Sequence, residues 1–204
     1  NTIATQVTTT YDNSAPGVTI TSSESIVNDL TPYGVTFTFT EAVTGFIITD
    51  VVVGNGALSN FQTSDGGITY TADLTPDGNG DITLDIAAGV AIDAANNDNT
   101  IATQVTTTYD NSAPGVTITS SESIVNDLTP YGVTFTFTEV VTGFVLGDVV
   151  VGNGSLSNFQ TADGGITYTA DLTPDGNGDI TLDIAAGGGV DAAKKDNRIA
   201  TQVT

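Results

Sequence analysis

Hydrophobic and polar residues alternate along most of this chain. In Gly34–Glu41, Val35, Phe37 and Phe39 fall on one side and Thr36, Thr38 and Thr40 on the other. In Ile68–Leu74, Ile68, Tyr70, Ala72 and Leu74 alternate with Thr69, Thr71 and Asp73; in 81–87, Ile82, Leu84 and Ile86 alternate with Thr83 and Asp85. Successive side chains of a strand point to opposite faces, so each run predicts a strand with one buried face. Residues 17–21 (GVTIT) and 50–53 (DVVV) predict two more, and 61–63 (FQT) a short edge strand. Residues 101–109 (IATQVTTTY) predict a long last strand with Ile101, Val105 and Tyr109 on one face. Glycine-rich turns separate the runs at Gly45, Gly54-Asn55-Gly56, Asp65-Gly66-Gly67 and 76–80, where a chain reversal needs backbone angles that glycine accepts. No stretch keeps a helical period; the Ala-rich run 87–96 is short and interrupted by Gly89.

About seven short strands in a hundred residues predict an all-β, immunoglobulin-like sandwich. The Trp and the Cys pair of antibody domains are missing, so this likeness is one of architecture. The pattern is written twice. Residues 99–196 repeat residues 1–98 with 87 of 98 positions identical, and a third copy opens at Asn197. Such a period marks a tandem array of modules. The linker signal YDNSAPG, at 11–17 and 109–115, is extended before its proline and stiff after it. The expected domains are therefore 13–110 and 111–204, with 1–12 the trailing strand of a preceding repeat. A lone strand carrying Ile3 and Val7 has no core of its own. It is expected to pair with the sheet edge of another copy of the chain; the alternative is that 1–12 folds back as the first strand of domain one.

Charge sharpens the picture. The chain has 24 Asp and Glu against three cations, Lys194, Lys195 and Arg198, a net charge of −21, and no His or Cys. Clustered carboxylates without cations repel one another. A divalent cation is the expected neutraliser, and only hard oxygen ligands are present, which suit calcium or magnesium rather than zinc, copper or haem. The charge argues against nucleic acid and anionic lipid as partners, and no apolar run reaches the length of a membrane span. Without His or Cys, and without Lys in the first repeat, catalysis has little material, so no enzyme is expected. The absence of Cys fits the cytosol and fits equally a bacterial surface protein that folds after export.

Three features are expected to meet at the N-terminal pole of each sandwich: the entering linker (Asp12, Asn13), the loop after the second strand (Glu41) and the loop before the last strand (Asp93, Asp98). Their copies are Asp110, Asn111, Glu139, Asp191 and Asp196. Together they could supply the six to eight oxygens calcium takes; taken singly, each acid is better explained as capping a turn or solubilising a loop. A second candidate is Asp77, Asn79 and Asp81, repeated as Asp175, Asn177 and Asp179. The spacing matches the first half of an EF-hand loop, but Ile82 stands where glycine is required and Ala88 where a bidentate Glu belongs. A Gly-rich hairpin turn is the better reading there and a cation the lesser one. Rows of Thr could form a flat ligand face, ice included, yet β-branched Thr also suits any solvent-facing strand.

The blocks DNSAPGVTI, VTFTFTEAVTGF, DVVVGNGALSNF, YTADLTP, GDITLDIAAG and DAANND resemble the bacterial immunoglobulin-like repeats of giant, type I-secreted surface and biofilm adhesins. The resemblance spans both repeats. It implies a stalk module on the bacterial cell surface, with calcium in and between domains and neighbouring repeats of the same chain as partners. Where such modules often carry DAAGN, this chain has DAANND and then DAAKKD, so Lys194 and Lys195 put the second site in question. The expected function is an extender that holds a distal binding domain away from the cell. The rivals are a module that itself grips a sugar, a protein or ice, and an accessory domain of a secreted enzyme.

Overall fold

In the computed structural model, residues 5–200 are described, and the chain divides into two compact units at Asp110/Asn111. The first contains β1 (Val18–Ser22), β2 (Ile26–Val27), β3 (Tyr33–Phe39), β4 (Val51–Gly54), β5 (Gly56–Thr63), β6 (Thr69–Pro76), β7 (Gly80–Ile86) and β8 (Val105–Tyr109). Two four-stranded sheets, ordered β1-β3-β6-β5 and β2-β8-β7-β4, face each other across one core. All pairings are antiparallel except β2 with β8. The second unit repeats the first sheet as β9 (Val116–Ser120), β10 (Tyr131–Phe137), β13 (Thr167–Pro174) and β12 (Gly154–Thr161). Its opposing layer, among the described residues, is β11 (Val149–Gly152) paired with β14 (Thr181–Ile184).

The alternation dictates this packing. In β3, Tyr33, Val35, Phe37 and Phe39 are buried while Gly34 and Thr38 face out. β6 alternates without a break, burying Tyr70, Ala72, Leu74 and Pro76. The inward rings interlock edge to face: Phe46 lies 5.1 Å from Phe39 and 5.0 Å from Tyr70, and Phe61 stacks on Tyr70 at 5.4 Å. These are the offset geometries the ring quadrupole favours. The same cluster recurs around Phe144. Gly67, at φ +100°, lies so close to the Val43 carbonyl that any Cβ would collide with it, and its own carbonyl accepts from Val43 N at 2.9 Å.

Three expectations change. The last strand is β8, five residues rather than nine: before Val105 the chain is tied to β7 only by single bonds, Ala102 N to Ile86 O and Gln104 Nε2 to Asp85 Oδ2, the ladder begins at Val105, and Ile101 is exposed. The edge strand at 61–63 is longer, β5 running from Gly56 with a bulge between Ser59 and Gln62, where Asn60 takes φ 51°. Finally, of the segment 1–12, residues 1–4 lie outside the described residues, and 5–12 are exposed and form no strand.

Candidate cation site

Three loop segments converge at one end of each sandwich, held by main-chain bonds that the local sequence sets up. The entering segment is anchored where Thr100 N donates to Pro16 O and Gly17 N to Thr40 Oγ1. The loop after β3 is tied to the β7–β8 loop by the bridge between Thr44 and Ile92, with N···O of 2.8 and 3.0 Å. Asn99, buried, braces the β7–β8 loop: its Oδ1 accepts from Val90 N and Ala91 N, and its Nδ2 donates to Ala87 O and Thr100 O. Asn197 does the same in the second domain, with Gly189 N, Ala185 O and Arg198 O. Nothing in the periodicity pointed to this asparagine; its signal is that a polar residue opens each repeat where the flanking pattern turns apolar.

This scaffold brings Asp12, Glu41 and Asp93 together, with one carboxylate oxygen from each within 4.8 Å of the others. Asp110, Glu139 and Asp191 form the same group in the second copy. Two ligands on opposite sides of a calcium ion at about 2.3–2.6 Å stand about 5 Å apart, so three oxygens this close could share one such ion. The electrostatics fit too. Partial burial, and then the charges of Asp12 and Asp93, raise the pKa of Glu41 above the ordinary glutamate value. Asp93 moves the other way, because the Asn97 side-chain amide and the backbone N–H groups of its turn hold its charged form. Its Oδ1 accepts from Ala95 N and Asn97 N, both at 2.8 Å, and its Oδ2 from Asn97 Nδ2 at 2.8 Å.

The two copies differ at that last bond. Lys195 replaces Asn97; its N–H still reaches Asp191 Oδ1 at 2.8 Å, but Asp191 Oδ2 is buried without a hydrogen-bond partner. An orphaned, buried carboxylate oxygen is costly, and it belongs to the residue that faces Asp110 and Glu139.

The remaining candidates lie elsewhere or apart. Asn13 and Asn111 follow Asp12 and Asp110 and are exposed. Asp98 and Asp196 are exposed and outside both groups, their backbones bridged to Ile92 and Val190. Asp77, Asn79 and Asp81 lie in the β6–β7 hairpin, whose turn is pinned by Asn55 through Asp77 N to Asn55 O and Asn55 Nδ2 to Gly78 O. Asp81 itself is in β7 and accepts from Thr108 Oγ1 at 3.1 Å. In the second hairpin, Asn153 holds Asp175 N and Gly176 O in the same way, Asn177 is exposed within the turn, and Asp179 lies just before β14.

Among the described residues no helix is long and apolar enough to cross a membrane. Solved structures similar to the chain include invasin, described as a bacterial integrin-binding protein, at 19% identity and TM-score 0.45, covering 81% of this chain and 36% of that one. The Escherichia coli adhesin FdeC matches at 16% identity and TM-score 0.45, over 91% of this chain and 64% of that one. InvD of Yersinia pseudotuberculosis matches at 16% and 0.39, over 91% and 56%. The chain thus spans less than two thirds of each. No curated protein matches it. The profile of the bacterial Ig-like domain matches residues 12–109 and again 110–204, nearly the whole chain in two tandem copies, and the chain belongs to that family.

Proposed function

We propose that this chain is a non-enzymatic extender segment of a bacterial surface adhesin, serving adhesion or biofilm formation outside the cell, and that calcium braces it where each domain is entered. One observation carries the reading. Asp12 and Asp110 stand on the segments leading into the two family-matched domains, and each shares a carboxylate group with two acids from loops of the domain it enters. Asp12, Glu41 and Asp93 would hold one ion; Asp110, Glu139 and Asp191 the other. An ion held there fixes the entering segment to the sandwich and removes rotational freedom from that joint. Support also comes from the orphaned Asp191 Oδ2 and from the raised pKa of Glu41, both of which a cation relieves.

Calorimetric titration with calcium tests this. A site binding at about 10 μM adds about 2.7 kcal/mol of stability in ~1 mM calcium. The melting temperature should rise on going from chelator to calcium. Magnesium, which demands a tighter octahedron, should substitute poorly. Small-angle scattering should show a narrower ensemble in calcium than in chelator. An unchanged melting temperature would overturn the calcium brace.

A further inference from the structure

The acidic turns of the two domains share one backbone while their side chains differ. Asp93 N donates to Asn97 O at 3.2 Å, and Asp191 N to Lys195 O at 3.1 Å. The N–H of Asn97 reaches Asp93 Oδ1 at 2.8 Å, and that of Lys195 reaches Asp191 Oδ1 at 2.8 Å. Within the turns Asn96 and Lys194 take the same left-handed angle, φ 66° and 65°. What changes is the setting of the second carboxylate oxygen. Asp191 is 6% exposed, and its Oδ2 is buried with no hydrogen-bond partner. The copy of that oxygen, Asp93 Oδ2, is covered by the Asn97 side chain, whose Nδ2 donates to it at 2.8 Å and to Asp12 O at 3.4 Å.

An amide can serve this place in two ways. Its nitrogen only donates, its oxygen only accepts, and a half-turn about Cβ–Cγ exchanges them. Without an ion, the acidic pole needs a donor, and Nδ2 supplies one to the Asp93 carboxylate and to the entering segment at Asp12. An ion held by Asp12, Glu41 and Asp93 needs oxygen instead, and the half-turn presents Oδ1. Lysine has donors only. Lys195 therefore offers an ion no ligand and adds a like charge to the turn.

We propose that Asn97 is a fourth ligand of the first cation site through Oδ1, its amide turning over as the ion binds, and that Lys195 withdraws this ligand from the second site. The resulting inequality of the two sites rests on calcium being the ion, as proposed above. Three carboxylate oxygens leave calcium short of the six to eight oxygens it takes, and a neutral oxygen from the same turn adds to them without adding repulsion. Losing a residue that merely orients a ligand costs about 10–100-fold in metal affinity; the second site lacks a ligand outright. The first pole therefore fills at lower calcium than the second, and the residue at 97 or 195 sets the calcium range of its own module.

Calorimetric titration of the full 204-residue chain with calcium tests this. Two steps should appear, with affinities separated by about tenfold or more. Asn97→Lys should merge them at the weaker value; the turn accommodates lysine there, as the second copy shows. Lys195→Asn should merge them at the tighter value. Nuclear magnetic resonance of the Asn97 side chain separates a ligand from a mere donor to Asp93. As calcium is added, its carboxamide carbon should shift and its Nδ2 protons should lose their bond to Asp93, which a mere donor would keep. Sites that are equal or reversed in order, variants that leave the affinities unchanged, or an Asn97 amide still bonded to Asp93 in calcium would each overturn this inference and leave the calcium brace standing. A chain that takes up no calcium would overturn both.

Discussion

Asn97 Nδ2 donates to Asp93 Oδ2 at 2.8 Å, and this bond is the main chemical difference between the two copies of the acidic pole. With Lys195 in its place, Asp191 keeps the backbone half of the turn and loses the amide donor. Lys195→Asn should restore it. In chelator the substitution should stabilise the second domain by about 1 kcal/mol, the net worth of one hydrogen bond to a buried acceptor. Urea denaturation of the whole chain reads this directly, and an unchanged or lowered midpoint would contradict it.

Glu41 should make the pole sensitive to pH. Its pKa is raised in the folded chain, so its contribution to stability is present below the unfolded value near 4.5 and is lost as pH rises through the higher folded value. Without calcium, stability should therefore fall across the mildly acidic range. With calcium bound, ionised Glu41 has a partner and the fall should vanish or reverse. Denaturation midpoints taken across that range, with and without calcium, test the sign. Glu41→Gln should flatten both profiles.

Asp65 titrates in the opposite sense. Its Oδ1 accepts from Thr69 N at 2.9 Å, Ile68 N at 3.2 Å and Thr63 Oγ1 at 3.2 Å, and these bonds depress its pKa to about 2. Its copy Asp163 is also depressed, by the same turn. A depressed carboxylate stabilises above its unfolded pKa, and that contribution is lost as pH falls through the folded one. The window therefore runs from about 4 down to about 2. Asp65→Ala with Asp163→Ala should move the midpoint of acid unfolding to higher pH, as followed by circular dichroism.

Asn99 should be among the least replaceable side chains. It makes four hydrogen bonds from a buried position. Asn99→Ala leaves two backbone N–H groups and two carbonyls without it, at a cost of about 3 kcal/mol. Asn99→Asp keeps the shape but exchanges two donors for a buried charge, and should be at least as damaging. Thermal unfolding of each variant gives the answer, and a loss below 1 kcal/mol would mean that water replaces the amide.

The inner strands were legible because their alternation is unbroken: Tyr33 to Phe39, Tyr70 to Leu74 and Ile82 to Ile86 each put every second residue in the core. Where the period slips, the sequence misleads. Ile101 shares the parity of Val105 but precedes the strand, and its apolar side chain faces water. Of β5 the pattern shows only 61–63, because the bulge at Asn60 breaks the alternation between Leu58 and Phe61. β2 has two residues, too few to show any period, and owes its existence to β8. In the site, acids with no basic partner could be picked out from composition, and the structure gathers Asp12, Glu41 and Asp93 while leaving Asp98 outside. The part played by Asn97 was invisible, since a neutral amide looks like any loop residue until its partner is known.

The bulge in β5 has a further consequence. β5 and β12 are outer strands of their sheets, eight residues long and mostly open to solvent, and a flat edge of that length invites zippering between molecules. At Asn60 the left-handed backbone, φ 51°, swings the strand out of register, and Asn60 Nδ2 is locked on Asp73 Oδ2 at 2.6 Å; Asn158 and Asp171 repeat the device. A kinked edge offers an incoming strand only a few consecutive bonds before the match fails. In a crowd of near-identical modules, that break in the ladder works against edge-to-edge pairing of neighbours.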